Sequence, residues 1–340
     1  MNTEVERQAL PLAGASGFCN RNSEIMRITS RIAAERPQSV SIVGEPKSGK
    51  TSLLHWLGAP QCQAKYLDDP GSFVFLRLDL ASAPPRDPDA FFALLVDAWR
   101  DRGEGSIEPS YDGIADWVRR LMQEGRRLVV LLDDFGRVTA SAAFPVGFFS
   151  FLRSIANGSD VGYVTTSCTD LQKLCSTQDL EESPFFNIFT TVHLEPFNEP
   201  QARLLAAQAW AEAGGVSDPP DEMIEQLAGG SPYLLRLCAA VAAEQASGAG
   251  DPERIEAAAY RIARPYLDCL WQEHFTAVQR DVLAQVQGGR AVARQQEYAL
   301  AALERRGHVA PANGGHAIRA GLLARHVRER SGGLWKRLFG

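Results

Sequence analysis

The chain has 340 residues, of which 45% are hydrophobic, 9% aromatic and 22% charged, a composition that builds ordinary globular cores and excludes a disordered or fibrous chain. A formal charge of −6 argues against a general nucleic-acid coat, and no apolar run approaches the ~20 residues of a membrane helix. The opening MNTEVERQALPLAGASG lacks the basic-then-apolar layout of a signal peptide, so a cytoplasmic protein is expected.

After an N-terminal arm over 1–16, the first strong pattern is QSVSIVGEPKSGKTSLL at 38–54. A short β-branched strand leads into Gly44-Glu45-Pro46-Lys47-Ser48-Gly49-Lys50-Thr51 and then a helix, which is GxxxxGK[ST] in its required strand-loop-helix context. Such a loop turns its N–H groups inward around phosphates, so Gly44 and Gly49 are expected at positive φ. Lys50 then places a charge on the β and γ phosphates, the Thr51 hydroxyl ligates magnesium, and Ser52 follows at the loop's helical end.

A strand is expected at Phe73–Leu80, then the helical AFFALLVDAWRDR, and then RRLVVLLDDFGRV at 126–138. Five apolar residues ending in Asp133 and Asp134 describe a strand covered on both faces, and its carboxyl end faces the phosphates. Asp133 is the expected magnesium-side carboxylate, and Asp134 the group that orients or deprotonates the attacking water. Asp at the second position reaches about one methylene less far than Glu, so slow hydrolysis is expected.

Further strands at Val161–Ser167 and Thr190–Leu194, separated by helical patterns such as VGFFSFLRSIANG, give a doubly wound parallel sheet in the subclass with a strand inserted between the loop strand and the Asp133 strand. Thr166 and Ser167 either face the γ-phosphate as a sensor or cap the next helix. Asp79 and Asp170, at other strand ends, read as helix caps. No NKxD-type guanine reader is present, which favours ATP and ADP.

Residues 17–198 thus form an α/β P-loop NTPase core, 199–267 an Ala- and Leu-rich helical lid, and 268–331 a helix-helix-hairpin-helix order that resembles a winged helix, with a strand at Gly307–Ala310 and a turn at Asn313-Gly314. From Asp268 onward eleven bases face six acids, a net +5. In the tail, 332–340, Gly332 and Gly333 read as a flexible joint. Beyond it Leu334, Trp335, Leu338 and Phe339 share one helical face, with Lys336 and Arg337 opposite. That tail either folds back on its own domain or docks a partner.

Cys19, Cys62, Cys168, Cys175, Cys238 and Cys269 show no CxxC pair, so reduced thiols are expected and zinc modules are not. His55, His193, His274, His308, His316 and His326 form no HExxH, and read as helix-face or surface groups, with His308 or His316 as candidate nucleotide contacts. There is no GxSxG elbow and no repeat of fixed period.

Taken in order, GFCNRNSEI at 17–25, the P-loop, LLDDFGR, SPFFNIF at 183–189, LEPFNEPQARLL at 194–205 and GGSPYLLRLC at 229–238 resemble the STAND NTPases. They resemble most the compact prokaryotic AAA-like ATPases of the archaeal and origin-recognition-like group, over about residues 17–330. The resemblance implies that Phe18 and Arg21 belong to an FxGR..E box bordering the nucleotide, with Asn20 in place of Gly. It implies that Gly230-Ser231-Pro232 packs near adenine and couples nucleotide to the lid. Related ATPases carry an Arg after the fourth strand where this chain has Cys168. Arg153, in the helix before the Val161 strand, becomes the candidate for reading the γ-phosphate of a neighbouring protomer, or else a solvated helix-face residue. The function implied is an ATP-dependent switch controlling self-assembly or a separately encoded effector, in signalling or defence; the alternative is a DNA-associated ATPase that grips duplex through its winged helix, with Arg294 and Arg305, expected on one recognition helix, as contacts.

Overall fold

The structure, a computed structural model, describes residues 18, 20–245, 251–312 and 314–339, with side chains described up to 331. The arm 1–16, Gly17, Cys19, part of the ASGAGDPER break, Asn313 and the tail side chains lie outside the described residues. The chain divides into two compact units, one containing Lys50–Leu194 with the segment ending at Glu45, the other Pro46–Gly49 with the segment from Glu195 onward.

In the first unit, β1 (Ser39–Gly44), β2 (Phe73–Asp79), β3 (Arg127–Asp133), β4 (Val161–Ser167) and β5 (Phe189–Leu194) form one sheet in the order β2-β3-β4-β1-β5. Every pairing is parallel. Parallel strands need crossovers, which place helices on the faces and bury both sides of each central strand. Accordingly β1 and β4 are buried at every position. Alternation along β3 sends Leu128, Val130 and Leu132 into a core with Phe91, Phe148 and Phe149, and Val129 and Leu131 into a second core with Ile25, Ile42 and Leu53.

The strand lying between β1 and β3 is β4; the Phe73 strand intervenes between them only in sequence and forms the outer edge. The helical patterns fall where expected, at Pro88–Arg100 and Val146–Gly158. Asp87 begins the first of these by accepting from Ala90 N–H at 2.8 Å.

The second unit contains helices Glu199–Glu212, Asp221–Ala228, Pro232–Gln245 and Pro252–Cys269. A π-helical turn, Leu270–His274, leads to Ala277–Gln287, then Glu297–Arg305, a β6 (Val309–Ala312) and β7 (Gly315–Ile318) hairpin, and Gly321–Phe339. The hairpin starts two residues later than expected. Gly307 is left-handed at φ +73, its N–H bonds Glu304 O, and it closes the preceding helix instead of opening a strand. The last helix also runs unbroken through Gly332 and Gly333, so these glycines make no joint.

Glycine is demanded where Glu195–Phe197 crosses this unit. Gly229 and Gly230 are both left-handed, at φ +60 and +88. A Cβ on Gly230 would lie 2.5 Å from Phe197 O, and one on Gly307 would lie 2.1 Å from Pro196 Cγ. Phe197 N–H donates to Gly230 O at 2.9 Å. Among the described residues no helix is long and apolar enough to cross a membrane.

Candidate functional site

Parallel strands bring their carboxyl ends to one edge of the first unit. Register places Asp79 beside Asp133, and Val43 beside Ser167. Gly44 ends β1 paired with Leu194, so the expected left-handed Gly44 is instead an extended strand residue. The loop turns at Lys47, φ +60, and Gly49, φ +94. Open space surrounds the position of a Cβ on Gly49, so its requirement is purely conformational.

Lys50 opens the helix Lys50–Leu57. Its Nζ donates to Gly44 O and Glu45 O, each at 2.8 Å, and approaches Cys168 Sγ at 3.8 Å. The ammonium is thus held at the mouth of the loop by backbone carbonyls. Burial pushes the Cys168 thiol up despite the neighbouring Lys50, so an uncharged S–H stands where relatives were expected to carry Arg.

Asp133 is 4% exposed, and its Oδ1 accepts from the Thr166 hydroxyl at 2.7 Å. That hydroxyl oxygen in turn accepts from Asp134 N–H at 2.8 Å. One side chain therefore fixes both aspartates. Asp134 sits at φ +58, a left-handed conformation uncommon for non-glycine residues, and its Oδ2 accepts from Arg137 Nε at 2.5 Å. Both members of that ion pair are partly exposed.

Ser167 Oγ donates to Thr169 O at 2.6 Å. Of the two hydroxyls at the end of β4, Thr166 faces the carboxylates and Ser167 ties down its own loop. Asp79 accepts from Ala81 and Ser82 N–H in a turn, with no helix to cap. Asp170 makes no capping bond and pairs with Lys173 instead.

The loop crest belongs to the second unit. There Lys47 Nζ lies 3.7 Å above the Tyr233 ring and 5.4 Å from the Tyr266 ring, and Tyr266 O–H donates to Pro46 O at 3.3 Å. The two rings meet edge to face at 5.0 Å. Tyr233 follows Pro232, the first residue of its helix. An ammonium over a ring face is attracted by the ring's quadrupole.

Arg21 and Asn20 are both left-handed, at φ +59 and +68, which accounts for the Gly that the motif has where this chain has Asn. Arg21 is 4% exposed and donates to Glu24 Oε1 at 2.9 Å. Burial alone would raise the Glu24 carboxyl; bonds from Ser23 and Arg21 outweigh it and hold it below the ordinary value. Phe18 stacks on Trp56 at 5.6 Å. Arg153 is half-buried in Val146–Gly158, and its Nε is buried without a hydrogen-bond partner. His308 packs edge-on against Phe275 at 4.8 Å, and His316 pairs with Glu304 at 3.0 Å. His326 is a core residue, 1% exposed beside the Tyr260 hydroxyl.

Arg290, Arg294, Arg305 and Arg319 are exposed. Arg294 lies on a 3-10 turn before the helix that Arg305 ends, so the two do not share one helix.

Chemically, the first unit offers backbone carbonyls around an ammonium, a buried carboxylate steadied by a hydroxyl, and a second carboxylate open to solvent. The oxygen-only set of Thr51 hydroxyl and Asp133 carboxylate suits a hard divalent cation such as magnesium. Spacing alone located the loop and the paired aspartates, but missed Thr166 as the bridging hydroxyl, Arg137 as the partner of Asp134, and Tyr233.

Residues 34–292 match the family described as Novel STAND NTPase 2. No curated protein matches the chain. Among solved structures the fold is similar to a Walker-type ATPase of Pyrococcus abyssi, at TM-score 0.63 and 13% identity over 94% of this chain and 98% of that one. It is similar to the ORC2 protein of Aeropyrum pernix with ADPNP and ADP, at TM-score 0.60 and 12% identity over 98% of each chain. It is also similar to the A. pernix ORC1 protein in complex with DNA, at TM-score 0.53 and 18% identity over 98% of each chain.

Proposed function

The chain belongs to the Novel STAND NTPase 2 family, and from that premise we propose that it is an ATP-binding, slowly hydrolysing switch whose nucleotide state controls its own assembly or its engagement of a separately encoded effector. The observation that carries this is the Thr166 hydroxyl bonded to Asp133 and Asp134 together, next to a lysine already gathered into its loop. ADPNP and ADP in the structurally similar ORC2 protein support ATP and ADP as the ligands.

In this mechanism the backbone N–H groups of the Gly44–Thr51 loop, Pro46 excepted because it has none, cradle the β and γ phosphates, with Ser52 in the first turn of the helix. Lys50 exchanges its two carbonyl partners for phosphate oxygens, adding a positive charge where negative charge develops. Thr51 and Asp133 would hold magnesium, which would supply positive charge against the negative charge of the triphosphate. Asp134 aligns the attacking water and takes its proton. Arg137 holds Asp134 Oδ2 in an ion pair and so competes with the water for that oxygen, which slows the step. Ser167 acts on the geometry of the loop after β4, and Arg153 reads the γ-phosphate from a neighbouring protomer.

The lid closes on nucleotide through the element around Pro232. Support comes from Lys47 of the loop crest lying on Tyr233 and from Tyr266 bonding Pro46, which tie loop geometry to lid residues within one unit. Arg21 completes the entrance with its charge oriented by Glu24. A cytoplasmic location fits this chemistry. The direct test is calorimetric titration with ATP and ADP and a phosphate-release assay: tight magnesium-dependent binding with slow release supports the switch, and no binding rejects it.

A second use is favoured by one observation: Arg290, Arg294, Arg305 and Arg319, all within the C-terminal helix-and-hairpin segment, are exposed. In a winged-helix arrangement they would face duplex phosphates, as the DNA complex of the similar ORC1 protein invites one to test.

A further inference from the structure

The π-helical turn Leu270–His274 places three metal-ligating side chains together. Cys269 Sγ, a Glu273 carboxylate oxygen and a His274 ring nitrogen all lie within 4.8 Å of one another, with Cys269 and His274 half-buried and Glu273 exposed. Cys269 Sγ is 3.7 Å from Glu273 Oε2.

The turn is what makes this possible. On an α-helix, at ~100° per residue, positions five apart diverge by about 140° and cannot meet at one ion. Here Phe275 N–H donates to Leu270 O at 2.9 Å, an i→i+5 bond that widens the turn and stacks residues five apart on one side. Residues four and five beyond Cys269 therefore share its face. Arg280 Nη1 donates to Trp271 O at 2.9 Å, which ties the following helix, Ala277–Gln287, back onto this turn.

We propose that Cys269, Glu273 and His274 form a binding site for a thiophilic divalent transition ion of the zinc class. One thiolate, one imidazole and one carboxylate are donors that zinc accepts at ~2.3, ~2.0 and ~2.0–2.2 Å. Side-chain rotations alone bring three atoms that already lie so close to those distances, and a solvent molecule completes a four-coordinate shell. Binding releases the thiol proton to solvent and leaves the bound site neutral: two negative ligands and one neutral ligand around a doubly charged ion. The ion would pin the turn joining Pro252–Cys269 to Ala277–Gln287.

The test is titration of the whole protein with Co2+ alone, then displacement by Zn2+. The expected result is one equivalent bound with a thiolate-to-cobalt charge-transfer band that zinc abolishes. Cys269→Ser should remove the band while Cys175→Ser keeps it, and His274→Ala should weaken binding by at least about tenfold, the loss that even an outer-shell partner can bring. X-ray absorption of the unmutated zinc-loaded protein gives a readout free of any folding defect, with one sulfur and otherwise nitrogen or oxygen ligands expected. A band that survives Cys269→Ser, or a zinc shell without sulfur, would overturn the proposal.

Discussion

The Thr166 hydroxyl donates to Asp133 Oδ1 at 2.7 Å while accepting from the backbone N–H of Asp134 at 2.8 Å. Thr166→Val keeps the side chain's shape and removes both bonds. It leaves a buried carboxylate oxygen and an N–H unsatisfied, so a stability loss of about 1–3 kcal/mol is expected. Turnover should fall more than ATP affinity, because the aspartates lose their relative position. Denaturant unfolding and phosphate-release kinetics on the same preparation check this; an unchanged kcat in a folded Thr166→Val protein would show that the bridge does not serve hydrolysis.

Lys50→Ala should abolish most nucleotide affinity and leave the fold intact, since the ammonium contacts loop carbonyls and a thiol at the mouth of the loop. A lost charge-assisted contact costs ~2–3 kcal/mol, which is roughly thirty- to more than a hundredfold in Kd. Titration calorimetry reads this directly.

The aspartates should separate binding from chemistry. Asp134→Asn is expected to bind ATP normally and retain it, whereas Asp133→Asn should weaken the magnesium-dependent part of binding. Arg137→Ala frees Asp134 from its ion pair and should raise kcat by at most about fivefold, because a partly exposed pair is worth up to ~1 kcal/mol. A fall in kcat would assign Arg137 to the reaction instead.

The positions legible in the sequence were those whose pattern is local. Continuous apolar residues before Asp133 and Asp134 marked a strand covered on both faces, and the spacing from Gly44 to Thr51 marked the loop. The bridge from Thr166 to Asp133 spans 33 positions and two strands, so no spacing rule could distinguish it from Ser167. Lys47 meets Tyr233 only through tertiary folding, and its positive φ carries no residue signature as Gly49 does. Cys269 and His274 fall on different faces under α-helical periodicity and converge only because the backbone takes a π-turn. The two glycines in the tail suggested a break, yet the helix beginning at Gly321 continues through them.

Glu24 gives a pH signature. Its carboxyl is held below the ordinary value near 4.5, so the stability it contributes is present above that unfolded-state value. That contribution is lost as pH falls through the lower folded-state value. The stability difference between the unmutated protein and Glu24→Gln should therefore be full at neutral pH and shrink below about pH 4.5. A difference that grows on acidification would contradict the Arg21–Glu24 pairing.

Duplex binding, if the exposed arginines serve it, must fall with salt at a slope of about −0.9 per phosphate neutralised. Arg294→Ala together with Arg305→Ala should flatten that slope. No measurable duplex binding by ATP-loaded protein at low salt would eliminate DNA as a partner.

A nucleotide can bias assembly only by the difference in its affinity for the two states, so the particle mass in each nucleotide state bears most directly on the proposed switch. Multi-angle light scattering should show higher-order particles for Asp134→Asn with ATP and magnesium, and smaller ones with ADP. Arg153→Ala should lose the ATP-dependent species while still binding ATP. One mass in every nucleotide state, with ATP shown to be bound and no partner added, would contradict self-assembly as the output.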